Sequence, residues 1–104
     1  MKKLLFLLVT AACLLHARAA DAVWQTNFTQ AVAVAKAQHK TVLVNFTGSD
    51  WCGFCVKLHK QVFDTPQFAE YAQKNLVLVE ADFPRRKKLA PAQAKANEAL
   101  KAKY

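Results

Sequence analysis

Apolar positions fall along this chain in three spacings. The first is a block: "LLFLLVTAACLL", Leu4 to Leu15, is interrupted only by Thr10. The second has the period of a helix, with Phe28, Ala31, Val32 and Ala35 at i, i+3, i+4 and i+7. Asn27 suits the N-cap of that helix, and Gln30 three residues on completes a capping box. The third is the short continuous run. "TVLVNFT", Thr41 to Thr47, and "LVLVEADF", Leu76 to Phe83, are rich in β-branched and aromatic residues and predict two strands, the first of them buried. "GSD" ends the first strand, and helical spacing resumes from about Cys52 to Phe63 with Cys55, Leu58 and Val62 on one face. Thr65 as cap and Pro66 as first helical residue open a short helix carrying Phe68, Tyr71 and Ala72, which ends near Asn75. Pro91 opens a last, Ala-rich helix through Lys103.

The order is therefore helix, strand, helix, short helix, strand, helix. Two strands joined through helices predict a parallel pair with a right-handed crossover, an α/β arrangement. No internal repeat or linker interrupts it, and the chain has only two glycines. A two-stranded sheet leaves the second strand with an exposed edge unless something covers it.

Composition changes this picture at the N-terminus. Lys2 and Lys3 precede the apolar block, and "ARA", Ala17 to Ala19, follows it with small residues where a signal peptidase reads. Residues 1–19 read as a secretory signal peptide cleaved after Ala19, and 20–104 as one small domain. A membrane anchor needs about 20 apolar residues, more than this block supplies. Lipoprotein processing at Cys13 is disfavoured because apolar residues continue past it. Export to the bacterial periplasm or beyond follows. Cys13 leaves with the signal, so two of three cysteines remain, Cys52 and Cys55, in a disulfide-permissive setting.

Charge is uneven too. Twelve of the fifteen Lys and Arg lie after residue 19, against all seven Asp and Glu. Residues 21–80 balance, and the excess lies beyond residue 80, densest in "RRKK", Arg85 to Lys88. That run reads as a solvated loop, with contact to a membrane surface or an acidic partner as the functional alternatives. An exported chain with no recognition motif gives no footing for nucleic acid.

The chemistry-bearing stretch is "GSDWCGFC", Gly48 to Cys55. A Cys-x-x-Cys at a helix start offers the first thiol to unpaired N–H groups and the positive end of the helix dipole, both of which favour a thiolate. The second thiol lies one turn on, placed to attack a mixed disulfide formed by the first. So close a pair closes almost no loop and is no staple of the fold. Two other readings stand beside redox exchange: two unreactive cysteines, and a metal site in which His59 is a third ligand. Zinc wants four ligands, and Cys-x-x-Cys supplies two. Val56 stands where haem attachment needs histidine.

"VLVNFTGSDWCGFC" followed by "VKLHKQVF" resembles the active-site region of a thioredoxin-like protein, and most resembles the exported thiol:disulfide interchange branch. The resemblance runs from about Trp24 to the C-terminus. It implies a thioredoxin-like α/β fold, with Cys52 as attacking thiol, Cys55 as resolving thiol and Trp51 as the flanking ring. No cofactor beyond the cysteine pair is implied; client protein thiols or disulfides and a redox partner protein are. Phe54 occupies the variable position that tunes the pair's potential, where thioredoxin itself has proline. The family carries a buried Asp in the strand before the motif; the matching residue here is Asn45, which cannot titrate. Glu80 is the candidate substitute, since it shares a sheet face with Leu76 and Leu78 by strand parity. The resemblance also implies a proline loop, two antiparallel strands and a helix beyond the last helix. None is expected before Tyr104, and Pro66, Pro84 and Pro91 do not match that proline; residues 20–104 therefore read as the N-terminal portion of such a domain, an incomplete fold lacking the C-terminal antiparallel strands, and a non-catalytic fragment of a longer thioredoxin-like protein is a further alternative reading.

Overall fold

A computed structural model describes residues 21–104, so the expected signal peptide, 1–19, and Cys13 within it lie outside the described residues. The elements are β1 (Trp24–Gln25), α1 (Phe28–Gln38), β2 (Thr41–Thr47), α2 (Gly53–Leu58) continuing into a π-helical turn (His59–Phe63), α3 (Pro66–Asn75), β3 (Leu76–Asp82) and α4 (Pro91–Lys103). The caps read from the sequence form: the Asn27 side chain accepts the Gln30 N–H at 3.0 Å, and Thr65 Oγ1 accepts the Phe68 N–H. His39 ends α1 in the left-handed region at φ 54°.

The sheet order is β1-β3-β2, with both pairings parallel. Two expectations change here. Trp24 and Gln25 form a third strand, too short for any periodicity to announce, opposite Leu78 and Val79. β3 is consequently central, paired with β2 along its whole length and with β1 only at Leu78 and Val79, so among the described residues the outer edges belong to β1 and β2. That explains the second change: β2 is only half-buried along most of its length, whereas Val77, Leu78, Val79 and Ala81 of β3 are buried.

One face of β3 packs Val77 and Val79 against Ala31 and Ala35 of α1, with Phe28, Val34, Val42 and Val44 around them. The other face looks toward an aromatic cluster. Trp24 lies 5.0 Å from Phe63 between ring centroids, and Phe63 lies 4.9 Å from Phe68. α4 is held by a polar tie. Asn97, 2% exposed, donates to the Asp82 carbonyl at 2.9 Å and accepts from Gln93, which also reaches the Thr26 carbonyl. The buried amide is thus satisfied, as burial requires.

The helix after the motif differs from its reading. Leu58 and Val62 are exposed, while Cys55, His59 and Phe63, spaced by four, point inward. The π-helical turn accounts for this, since its wider winding keeps residues four apart in line where an α-helix would let the stripe drift.

Candidate functional site

β2 delivers the chain to the end of the sheet, where Gly48 begins a tight turn: its carbonyl accepts the N–H groups of Trp51 and Cys52. Cys52 has extended backbone and is the N-cap of α2, its Sγ accepting the Cys55 N–H at 3.2 Å. Sulfur here occupies the place where a capping oxygen normally meets the free N–H groups of a first turn. Cys52 and Cys55 are joined as a disulfide, with Cα atoms 5.2 Å apart, and both are half-buried. Phe54 between them is 89% exposed.

The loop before the cysteines is tied to the loop after β3. Trp51 Nε1 donates to the Phe83 carbonyl at 2.7 Å, and the Arg85 guanidinium lies 3.8 Å above the Trp51 ring. Gly48 is required beneath it, because a Cβ there would overlap the indole. Asp50 accepts three backbone N–H bonds, from Arg85 at 2.9 Å, Arg86 at 2.8 Å and Lys87 at 3.0 Å. The Arg85 N–H first, then those of Lys87 and Arg86, hold the Asp50 carboxyl at about 2, below its ordinary 3.8. Asp82 accepts from the backbone N–H and hydroxyl of Ser49, and Lys87 Nζ lies 3.5 Å from it.

Behind the pair, His59 takes up Glu80. Its Nε2 lies 2.8 Å from Glu80 Oε1 and 3.4 Å from Asn45 Nδ2, and its Nδ1 lies 3.7 Å from Asp64. Asn45 and Glu80 are register partners on adjacent strands, so parity correctly put Glu80 on this face. The structure brings Cys52, Cys55 and Trp51 together and gives Glu80 a histidine as its partner. His59 belongs to the turn after Cys55, its N–H donating to the Cys55 carbonyl. The Cys52, Cys55 and His59 metal set does not assemble: the sulfurs bond each other, His59 faces Glu80, and the described residues hold no cluster of three or more potential ligands. His59 was underweighted by the sequence reading; its spacing of four from Cys55 and Phe63 was the available signal. Asp50 gave none, because its partners lie some 35 residues away.

The family model described as thioredoxin-like matches residues 23–100. The disulfide bond reductase DsbH of Chlamydia pneumoniae is 36% identical over 86 residues, 83% of this chain and 51% of its own. The thioredoxin-related protein DsbJ of the same organism is 33% identical over 82 residues, 79% of this chain and 24% of its own. A solved DsbH oxidoreductase superposes with a TM-score of 0.77 at 35% identity, over 82% of this chain and 58% of that one. The chain thus spans about half the length of DsbH and about a quarter of DsbJ.

Proposed function

The chain belongs to the thioredoxin-like family, and on that premise we propose that it is an exported thiol:disulfide oxidoreductase working in the reducing direction. The observation that carries this is the cysteine pair itself: Cys52 caps α2 with its sulfur on the Cys55 N–H, and Cys55 is bonded to it. The reductase named among its relatives supports the direction.

In the reduced state the Cys52 sulfur keeps its place at the helix start, where the Cys55 N–H and the dipole favour thiolate. The thiolate attacks one sulfur of a client disulfide. The client S–S bond breaks, a Cys52–client disulfide forms, and the other client sulfur leaves as a thiolate that takes up a proton. Cys55, deprotonated in turn, attacks the Cys52 sulfur; the mixed disulfide breaks, the Cys52–Cys55 bond forms, and the second client thiol departs. Two electrons pass to the client, and a dithiol partner protein returns them. To Glu80, whose carboxylate pairs with His59 one helical turn after Cys55, we assign the uptake of the Cys55 proton, a role Asn45 cannot fill. Trp51 covers the outer flank.

Reduction of insulin by dithiothreitol-fed protein, with Cys52→Ser as control, tests the reading. Catalysis lost in the variant is expected; wild-type protein that leaves insulin oxidised overturns it. Export rests on residues 1–19, and the sequence of the secreted or periplasmic chain should begin at Ala20.

A further inference from the structure

His59 stands between two carboxylates of unequal exposure. Its Nε2 lies 2.8 Å from Glu80 Oε1 on β3, within hydrogen-bond range, and its Nδ1 lies 3.7 Å from Asp64 Oδ1. The side chains of Glu80 and His59 are 29% and 23% exposed, whereas that of Asp64 is 62% exposed. Uncharged groups fix the ring from its other sides. Phe63 meets it edge-on at 5.1 Å between centroids, Trp24 of β1 lies at 5.6 Å, and Asn45 of β2 brings Nδ2 to 3.4 Å from Nε2. α3 adds Phe68 to the same cluster, against Trp24 and Phe63. Among the described residues Glu80 and Asp64 are the carboxylates within salt-bridge distance of the imidazole, and Lys57 and Lys60 on its own helical run are exposed. Cys55 precedes His59 by one turn on the inward stripe, and the His59 N–H donates to its carbonyl.

We propose that His59 shares with Glu80 the proton that Cys55 gives up, so that the pair rather than the carboxylate alone is the base of the resolving step. The proposal rests on the exchange reading of Cys52 and Cys55 and adds a positioning residue to it. Basicity is the reason. A free carboxylate holds a proton about four units more weakly than a free thiol, whereas a free imidazole falls only about two units short. A carboxylate beside an imidazole favours its charged form, and the two then titrate as one unit. In the step itself the Cys55 S–H bond breaks and its proton forms an O–H or N–H bond within the pair, cancelling the negative charge of the pair. The Cys55 thiolate attacks the Cys52 sulfur and the Cys52–Cys55 bond forms. The electron pair of the broken mixed disulfide leaves with the client thiolate, which takes a proton from water. The Nδ1 side, turned toward Asp64, then returns the stored proton to water. Reduction of the Cys52–Cys55 bond by the dithiol partner runs that proton inward again.

Two measurements on the full chain test this. Nitrogen NMR of histidine-labelled protein follows the imidazoles across pH. The His59 ring should bind its proton with at least about three-fold different affinity in the dithiol and disulfide states, since coupling between two sites is reciprocal. His39, exposed at the end of α1, is the internal reference and should titrate alike in both. Reduced protein is also mixed with a chromogenic aryl disulfide, whose successive thiolate releases report Cys52 attack and then Cys55 resolution. His59→Ala should leave the first release unchanged and slow the second about ten-fold near pH 7, with free imidazole in the buffer restoring it. His59→Phe, which keeps a ring beside Trp24 and Phe63, should show the same slowing without rescue. Equal His59 titration in the two redox states, or a second release that neither variant slows, overturns the proposal and leaves exchange intact. So does equal slowing of both releases without imidazole rescue, which would make His59 a packing residue. Protein that reduces neither the aryl disulfide nor insulin, while His59 still titrates differently in the two states, counts against the exchange reading and leaves the proton pair standing.

Discussion

A Cβ at Gly48 would overlap the Trp51 indole, and that indole is pinned by the Phe83 carbonyl on one side and Arg85 on the other. Gly48→Ala should therefore displace the ring, seen as altered tryptophan emission and a several-fold loss of insulin reduction. Gly53, which faces open space, is the control: Gly53→Ala should leave the emission unchanged. Glu80 makes a separate claim. With Cys52 replaced by Ser, alkylation of Cys55 across pH reports its proton transfer, and Glu80→Gln should change that profile by at least a few-fold near pH 7. An unchanged profile would end the role given to Glu80. The same two residues show how far local sequence reaches. Glu80 was found by strand parity, which needs only its neighbours. The close approach of Gly48 to Trp51 depends on Phe83 and Arg85 holding the ring, and no local pattern states that.

At the scale of elements, the two loops at the end of the sheet behave as one unit. Asp50 fastens Arg85 to Lys87 through their backbone N–H groups, which leaves the side chains for other contacts, Arg85 on the Trp51 ring and Lys87 toward Asp82. A carboxyl held below its unfolded value stabilises the fold at every pH above that value, 3.8, and loses the contribution as pH falls through about 2. The tie is at full strength near neutrality and opens only in strong acid. Asp50→Asn should speed amide exchange at Arg85, Arg86 and Lys87 at neutral pH and remove the acid-induced release between these two values. α4 depends on one buried side chain. Asn97→Ala leaves the Asp82 carbonyl and the Gln93 amide without their partner, and should cost about 1–3 kcal/mol in urea unfolding. The helix starts at Asn27, Thr65 and Pro66 were legible because caps and prolines act within four residues. The inward face of the helix after Cys52 was misassigned, because a π-helical turn shifts the stripe and leaves no mark in the spacing of apolar residues. Of its inner members Cys55 was read on that face, whereas His59 and Phe63 were not.

Across the whole molecule, the parallel α/β arrangement was readable from two continuous apolar runs separated by helices. The strand order was not, because it turns on β1, two residues whose place is set by the pairing of Trp24 with Leu78 and by the aromatic cluster around Trp24. That order carries a consequence in time. Among the described residues β1 and β2 never touch as strands; each is joined to the sheet only through β3, which follows both in the chain. During synthesis, which runs from the N-terminus, nothing sheet-like can form until Leu76 to Asp82 has emerged. Residues 21–75 alone should therefore show no cooperative thermal transition, whereas 21–104 should. Under the proposed export, a nascent chain that cannot close its sheet would stay threadable through a translocation channel for most of its length, and would bring Cys52 and Cys55 together in their folded setting only on the far side.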